Sequence, residues 1–245
     1  HTARGVGAQQ EINNQILHIL YNLCSLNPER ALCAARLGLV PIIKRSLEED
    51  WPMRELALPV LFNLLRSSSG DASDILWHSN ILPDLLALLA DQSWCVDACV
   101  CLGRWLAADS TGRVKHDVLQ PDNTARLAGA LCVHRDALIF PKLLAAYTSL
   151  AQCDTELATA LVGRGLVQDV LRFVDGEKKP FTRVALLRLM RALYKNARVG
   201  SIDAAAAQHD AATLQRIVEH DTSAMVKNIT NEIVACISAH TAQAH

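Results

Sequence analysis

Apolar residues recur along the chain at the three- and four-residue spacing that marks one face of an α-helix. In the first such segment they are Ile12, Ile16, Ile19, Leu20 and Leu23, and similar segments follow almost to the end of the chain. Short polar breaks with proline or glycine separate the segments. The two-residue alternation of a half-buried β-strand does not occur. The pattern therefore predicts an all-α protein.

The breaks define the expected helix boundaries. The first predicted helices cover about residues 11–26, 28–37, 40–49, 52–66, 72–79, 81–90 and 93–108. The later ones cover about residues 123–134, 137–152, 155–164, 166–175, 181–197, 208–219 and 223–240. Residues 1–10 are predicted to be a polar lead-in, and 109–123 an irregular connection. Pro28 suits the first turn of a helix, and Gly38 suits the left-handed position after a helix end.

One unit of sequence is repeated along the chain. Gly38 opens the run GLVPIIKRSL, and Asn80 opens the similar run NILPDLLALL 42 residues later. Gly165 opens GLVQDVLRFV a further 85 residues on, which is two periods. A period of about 40–47 residues is typical of HEAT and armadillo repeats. We therefore predict a right-handed superhelical solenoid of the armadillo/HEAT type, with about five units in a single domain over residues 11–242.

Composition narrows the range of functions. The 245 residues are 51% hydrophobic and carry a net charge of −1, so no overall field attracts nucleic acid. Apolar runs are too short for a membrane span. The eight cysteines lie within Leu- and Ala-rich helical sequence, which favours buried thiols in a cytosolic protein over a disulfide framework.

Sequence motifs give little support for catalysis. His134-Arg135-Asp136 copies the HRD of a kinase catalytic loop, but Pro141 stands where that loop needs asparagine. Three His-Asp pairs, beginning at His116, His209 and His220, are expected to be solvated. Cys95, Cys99 and Cys101 lack the two-cluster spacing of a structural zinc site. We expect no enzyme activity, cofactor or metal in this sequence.

The long third helix of each unit carries the candidate binding residues. Aligning the repeats places Asn22 and Asn63 at equivalent positions, with Phe62 beside Asn63. An asparagine amide can bond both the N–H and the C=O of an extended peptide backbone, as the asparagine ladders of armadillo proteins do. The alternative is that these amides only satisfy carbonyls of neighbouring helices, and the sequence favours neither.

Basic residues continue this register toward the C-terminal half. Arg66 and Arg104 lie on earlier third helices, and Arg188, Arg191 and Lys195 form one stripe of a later helix. Grouped arginines bind carboxylate and phosphate groups bidentately. The stripe therefore predicts a groove for an acidic or phosphorylated peptide, with a solvated charged face as the alternative. Nucleic acid is disfavoured because no aromatic residues interleave with the stripe.

Four segments carry a resemblance to a known family. They are NLCSLNPERALCAARLGLVPIIKRSL (22–47), RELALPVLFNLLRSS (54–68), LLADQSWCVDACVCLGRWL (88–106) and KPFTRVALLRLMRAL (179–193). In this order and spacing they resemble the C-terminal, non-catalytic region of fungal septation-initiation and mitotic-exit kinases, the SepH-like group, which is related to the plant MAP3K-epsilon kinases.

The resemblance implies a parent Ser/Thr kinase whose catalytic domain lies upstream, outside this sequence. It also implies a cytoplasmic protein, recruited to the spindle pole body during cytokinesis through a scaffold or a small GTPase. On this basis we predict a protein-interaction and localisation domain. The alternative is a homodimerisation module, because an end repeat of a solenoid needs a polar cap or a partner.

Overall fold

The repeated run that opens at Gly38, Asn80 and Gly165 forms the same turn each time. In the computed structural model the three residues have φ angles of 94°, 53° and 80°, so each takes the left-handed conformation that glycine and asparagine tolerate best. Each ends one short helix and leads directly into the next. The repeat seen in the sequence is thus a repeat of backbone geometry, and Gly38 has the predicted conformation.

The structure describes residues 2–48, 53–66, 70–198 and 203–242, and within them it contains helices and no β-strand. The helices up to residue 108 are α1 Thr2–Leu26, α2 Pro28–Arg36, α3 Leu39–Glu48, α4 Met53–Arg66, α5 Gly70–His78, α6 Leu82–Ala87, the 3₁₀ helix η1 Leu88–Ala90, and α7 Cys95–Ala108. Those after it are α8 Arg113–Val118, α9 Pro121–Val133, α10 Phe140–Cys153, α11 Thr155–Gly163, α12 Leu166–Gly176, α13 Pro180–Asn196, α14 Ala204–His220 and α15 Ala224–Ala242.

Local side-chain chemistry begins several of these helices. The Asn27 side chain accepts a hydrogen bond from the Glu29 N–H at 2.7 Å at the start of α2, where Pro28 occupies the first turn as predicted. Asp154 caps α11 in the same way, accepting from the Leu157 N–H at 2.8 Å. These caps satisfy N–H groups that the helices themselves leave without a partner.

Two segments differ most from the sequence-based prediction. The first helix begins at Thr2 instead of Glu11, so the polar lead-in is helical from residue 2. The connection 109–123 contains α8, in which Val114 and Val118 are buried. A six-residue helix with two apolar residues is too short to show a helical period. With α8 included, three consecutive helices cover residues 113–153.

The chain divides into two compact units. Unit 1 consists of residues 1–85 and 104–114, and unit 2 of residues 86–103 and 115–245. In unit 1, α4 packs against both α1 and α3. In unit 2, α13 packs against α10, α12 and α15. The single solenoid domain over residues 11–242 stays a prediction.

Third helices supply much of the core within each unit. In α13, nine residues are buried, and they leave one exposed stripe along the helix. The eight cysteines are all free, and Cys95, Cys99 and Cys101 are buried in α7. Burial raises the pKa of the Cys99 thiol well above its ordinary value, which keeps the thiol protonated and unreactive. Among the described residues, none of the helices has the length and apolarity that a membrane crossing requires.

Candidate interaction surface

The sequence-predicted binding residues lie on third helices, in two groups. Asn22 is on α1, Phe62, Asn63 and Arg66 are on α4, and Arg104 lies in the part of α7 that belongs to unit 1. Arg188, Arg191 and Lys195 are on α13 in unit 2. One groove joining Asn22 to Lys195 stays a prediction.

In unit 1 the polar candidates contact residues about one repeat away. The Asn63 side-chain amide donates to the Ser25 hydroxyl at 2.6 Å, and Arg104 donates to the Arg66 carbonyl oxygen at 3.4 Å. Asn22, Arg66 and Arg104 are exposed, and Asn63 is half-buried. One donor of the Asn63 amide is therefore used between helices, as the satisfied-amide interpretation expects. A primary amide has a second donor and an acceptor oxygen, so a peptide contact stays chemically open.

Phe62 is not a surface residue, which corrects its predicted role. Its side chain is 2% exposed and belongs to the core of unit 1. Successive residues on a helix are about 100° apart, so a residue next to Asn63 points in a different direction. Tyr21 occupies the equivalent position on α1 and is 39% exposed, which shows that repeat register does not fix burial.

In unit 2 the exposed face of three third helices forms a surface that we call the third-helix face. It combines α10, α13 and α15, since α13 packs between the other two. A hollow of about 440 Å³ lies on it, and we call this hollow the α13 groove. Its lining residues are Gln152, Arg191, Ala192, Lys195, Asn196, Glu232, Ala235 and Cys236.

The charges of this face are less uniformly basic than the sequence predicts. Arg188 and Lys195 are exposed, as expected. Arg191, however, forms an ion pair with Glu232 of α15 at 2.6 Å, with side-chain exposures of 35% and 57%. An ion pair this exposed contributes about 0–1 kcal/mol to stability. Its main effect is to place a carboxylate within the predicted basic groove.

Of the aspartates expected to be solvated, one is buried and one is part-buried. Asp210 is 1% exposed, and it accepts hydrogen bonds from the Tyr194 hydroxyl at 2.6 Å and the Gln168 amide at 3.4 Å. Burial raises the pKa of Asp210 above its ordinary value, although the bond from Tyr194 and the nearby His209 oppose this shift. Asp221 forms an ion pair with Arg183 at 2.5 Å. Asp210 therefore links α14 to α12 and α13, and Asp221 links the end of α14 to α13.

The HRD sequence has a structural role at its histidine. His134 is buried, and its Nε2 lies 2.8 Å from the Leu89 carbonyl oxygen. In the part of the chain that the structure describes, no group of three or more His, Cys, Asp or Glu residues could hold a metal ion.

Sequence reasoning missed several residues of the third-helix face. Gln152, Asn196 and Glu232 line the α13 groove, and Phe181 and Met225 are large apolar side chains exposed near the helix starts. The seven-residue register along each helix could have identified Phe181 and Glu232. Counting seven residues back from Arg188 gives Phe181, and counting seven residues on from Met225 gives Glu232.

Solved structures with similar backbones define the class of this protein. A designed armadillo repeat protein in complex with the peptide (KR)4 matches with a TM-score of 0.69 at 14% identity, covering 94% of each chain. Another designed armadillo repeat protein matches with a TM-score of 0.64 at 15% identity, again over 94% of each chain. At such identities the likeness shows the fold alone. The protein is an all-α solenoid of the armadillo type, as predicted.

Sequence comparison confirms the predicted resemblance to cell-division kinases. The chain is 27% identical over 238 residues to the cytokinesis protein sepH of Aspergillus terreus, which covers 92% of this chain and 17% of that protein. It is 26% identical over 225 residues to MAP3K epsilon protein kinase 1 of Arabidopsis thaliana, covering 91% of this chain and 15% of the relative. Thus the chain spans less than one fifth of their lengths. No family model matches it. Its helical solenoid is not a kinase fold.

Proposed function

We propose that this chain is a non-catalytic protein-interaction and localisation domain of a cell-division signalling kinase. Its partner is a spindle-pole scaffold or a small GTPase, which presents an extended acidic or phosphorylated segment to the third-helix face. The protein acts in the cytoplasm and is recruited to the spindle pole body or its equivalent. The kinase relatives named above and the armadillo-type fold support this proposal.

The observation that carries the proposal is the placing of Arg188 and Lys195 beside the α13 groove. Both cationic side chains are exposed on a face built from packed helices. The exposed Gln152 and the half-buried Asn196 add amide donors and acceptors within the same groove. A rigid surface of this kind loses little conformational entropy when it captures an extended segment. The guanidinium of Arg188 suits carboxylate and phosphate groups in particular.

Arg191 contributes to this surface by exchanging its ion-pair partner Glu232 for a group of the bound segment. In the free protein it is paired with Glu232. A phosphate of the bound segment carries about two negative charges at neutral pH, whereas Glu232 carries one. The phosphate can therefore replace Glu232 at the Arg191 guanidinium. This exchange favours phosphorylated segments over those that contain only carboxylates.

Charge reversal on α13 tests the proposal. The probes are a synthetic Glu-Ala repeat peptide, its phosphoserine-Ala counterpart and a Lys-Ala repeat, each labelled for fluorescence anisotropy. We expect binding in the order phosphoserine, glutamate, lysine. The double variant Arg188→Glu, Arg191→Glu should weaken phosphopeptide binding by about 100-fold, from two charge-assisted contacts worth roughly 1.5 kcal/mol each.

The melting temperature of this variant should stay near that of the wild type, because both side chains are at least partly exposed. Arg126→Glu is the matched control, since it makes the same charge change at an exposed residue of α9 in the same unit. Equal phosphopeptide affinity for the wild type and the double variant would refute the proposal.

A second candidate function is homodimerisation through α1. Five apolar residues of this helix are 41–74% exposed, and their spacing of four, three, four and three residues matches a coiled-coil seam. The residues are Ile12, Ile16, Ile19, Leu23 and Leu26. Leu17 and Cys24 occupy a different, buried face of the helix. A hollow of about 420 Å³ between α1 and α3 adds Ile42 to this exposed apolar surface.

Light scattering across a range of concentrations tests this candidate. A dimer formed through the seam should become a monomer in the variant Ile16→Glu, Ile19→Glu, because each buried isoleucine contributes roughly 1.5–3 kcal/mol. Leu37→Glu serves as the control, because Leu37 is 83% exposed at the end of α2 and does not line this hollow. A wild-type protein that is monomeric at every concentration would exclude tight self-association.

A further inference from the structure

A row of exposed apolar side chains follows the third helices of unit 2. Leu138 is 98% exposed just before α10, Phe181 is 75% exposed in the first turn of α13, and Met225 is 52% exposed in the first turn of α15. Their separations are 43 residues (181 − 138) and 44 residues (225 − 181), which is one repeat each time. We call these three residues the apolar row.

Two residues of the apolar row, Phe181 and Met225, lie on helices of the third-helix face, and Leu138 lies in the turn that leads into α10. Phe181, Arg188 and Lys195 are spaced by seven residues, and so are Met225 and Glu232. Seven residues nearly complete two helical turns, so each set lies along one side of its helix. Arg188 is therefore about 10 Å further along α13 than Phe181, and Lys195 is about 10 Å beyond Arg188. The apolar row runs along one edge of the face, and the α13 groove lies at the other.

Chance exposure of single apolar residues does not account for this arrangement. Isolated exposed apolar side chains are normal on protein surfaces. In the described part of unit 2, however, the large exposed apolar residues are these three and Val133. Three of the four therefore recur one repeat apart, and two of them, Phe181 and Met225, lie on helices that form the third-helix face.

The chemistry of this face defines what fits it. Between the apolar row and the α13 groove lie Ala145 and Arg188, and Glu232 lines the groove itself, so the middle of the face is not uniformly apolar. An amphipathic helix would need an apolar floor for its buried stripe. An extended segment that crosses the third helices instead directs alternate side chains toward opposite edges. One set can then contact the apolar row while the other contacts Arg188 and Lys195.

We infer that the segment recognised by unit 2 alternates apolar side chains with acidic or phosphorylated ones. This inference rests on the proposed function, because it specifies the segment that the same face binds. The apolar side chains occupy the edge formed by Leu138, Phe181 and Met225. The charged ones occupy the edge formed by the α13 groove, where Lys195 and Arg191 offer complementary charge.

Three peptides of related composition test the alternation by fluorescence anisotropy. The first is the Glu-Ala repeat, and the second carries leucine in place of three successive alanines, so that leucine alternates with glutamate. The third carries the same three leucines grouped together at one end. Wild-type protein should bind the alternating peptide about tenfold more tightly than the Glu-Ala repeat, since partial burial of exposed apolar side chains is favourable. The grouped peptide should gain little.

Variants then assign the gain to the apolar row. Phe181→Ser should remove the tenfold gain and leave Glu-Ala binding unchanged, whereas Arg188→Glu should weaken both peptides. Val133→Ser is the matched control, because this residue is equally exposed but lies at the end of α9. Each variant is checked for unchanged helicity by circular dichroism.

The outcomes separate this inference from the proposed function. If acidic peptides bind but alternating leucines add nothing, or if Phe181→Ser does not change their effect, the alternation is wrong and the proposed function stands. An equal gain from grouped leucines would also overturn the alternation. Failure of all acidic peptides to bind would refute both. A wild-type dimer that Phe181→Ser converts to a monomer would assign the apolar row to self-contact and overturn the inference.

Discussion

Replacing Trp105 by alanine is expected to lower the free energy of unfolding by about 3–5 kcal/mol. Trp105 is the largest of the fully buried side chains in the described residues, and it is 0% exposed. Its indole N–H donates to the Ser73 hydroxyl of α5 at 2.9 Å. Truncation therefore leaves a cavity in the core of unit 1 and a buried hydroxyl that has lost its donor.

Two variants divide this effect into its parts, as measured by urea unfolding. Trp105→Phe keeps most of the ring and removes the N–H, and Ser73→Ala removes only the acceptor, which should cost about 1 kcal/mol. We expect Trp105→Phe to fall between Ser73→Ala and Trp105→Ala. A Trp105→Ala variant within 1 kcal/mol of the wild type would contradict the expected cavity cost, which is several-fold larger. Because Trp105 directly follows Arg104, its packing also fixes the turn of α7 that carries this candidate binding residue.

The helices were the most predictable part of the structure, because their signals are local. Asn27-Pro28 predicts the start of α2, and the glycines at 38 and 165 mark the repeated turn between two helices. These residues act through their own backbone preferences, which do not depend on distant contacts. The short helix α8 was not predicted, because its two valines span little more than one helical turn and show no period.

The candidate site was predictable only up to the register of each helix. Repeat alignment placed Arg188 and Lys195 on the exposed face, where the structure has them. It could not show that Glu232 pairs with Arg191, because the partners are 41 residues apart and meet only through helix packing. The same limit applies to Phe62, whose burial depends on the helices that cover α4. Periodicity within one helix identifies a face, and packing decides which residues of that face stay accessible.

The burial of two carboxylates, those of Asp210 and Asp221, was not predicted from the sequence. Asp210 and Asp221 each follow a histidine in a polar stretch of sequence, and such a stretch is typical of a solvated helix end. Asp210 is nevertheless buried and Asp221 part-buried, and they accept hydrogen bonds from side chains 16 and 38 residues away, respectively. A buried carboxylate is stable only when such partners are supplied. Pairing at these distances leaves no local signal in the sequence.

Replacing Arg183 by alanine is expected to lower the free energy of unfolding by about 1–3 kcal/mol. Its guanidinium lies 2.5 Å from the Asp221 carboxylate, which is 8% exposed, and it also donates to the Glu177 carbonyl oxygen. Removing it leaves the part-buried carboxylate with the Ser223 N–H, at 2.7 Å, and the nearby charge of Lys227 to stabilise it. Arg183 lies in the first turn of α13, so this contact anchors the helix that carries Arg188 and Lys195.

The pH dependence of unfolding provides an independent measurement of the same ion pair. Burial acts to raise the pKa of Asp221, but the Ser223 N–H and the Arg183 guanidinium together hold this pKa below its ordinary value. A carboxylate with a lowered native pKa stabilises the folded state above its unfolded pKa of about 3.9, and the stabilisation is lost as the pH falls through the native value. Wild-type protein should therefore lose this contribution below about pH 4.

In the Arg183→Ala variant this loss of stability at low pH should be smaller. Asp221→Asn, which keeps a side-chain acceptor for Ser223, should remove this titration altogether. An unchanged acid-unfolding profile in both variants would show that the ion pair contributes nothing to the stability of α13.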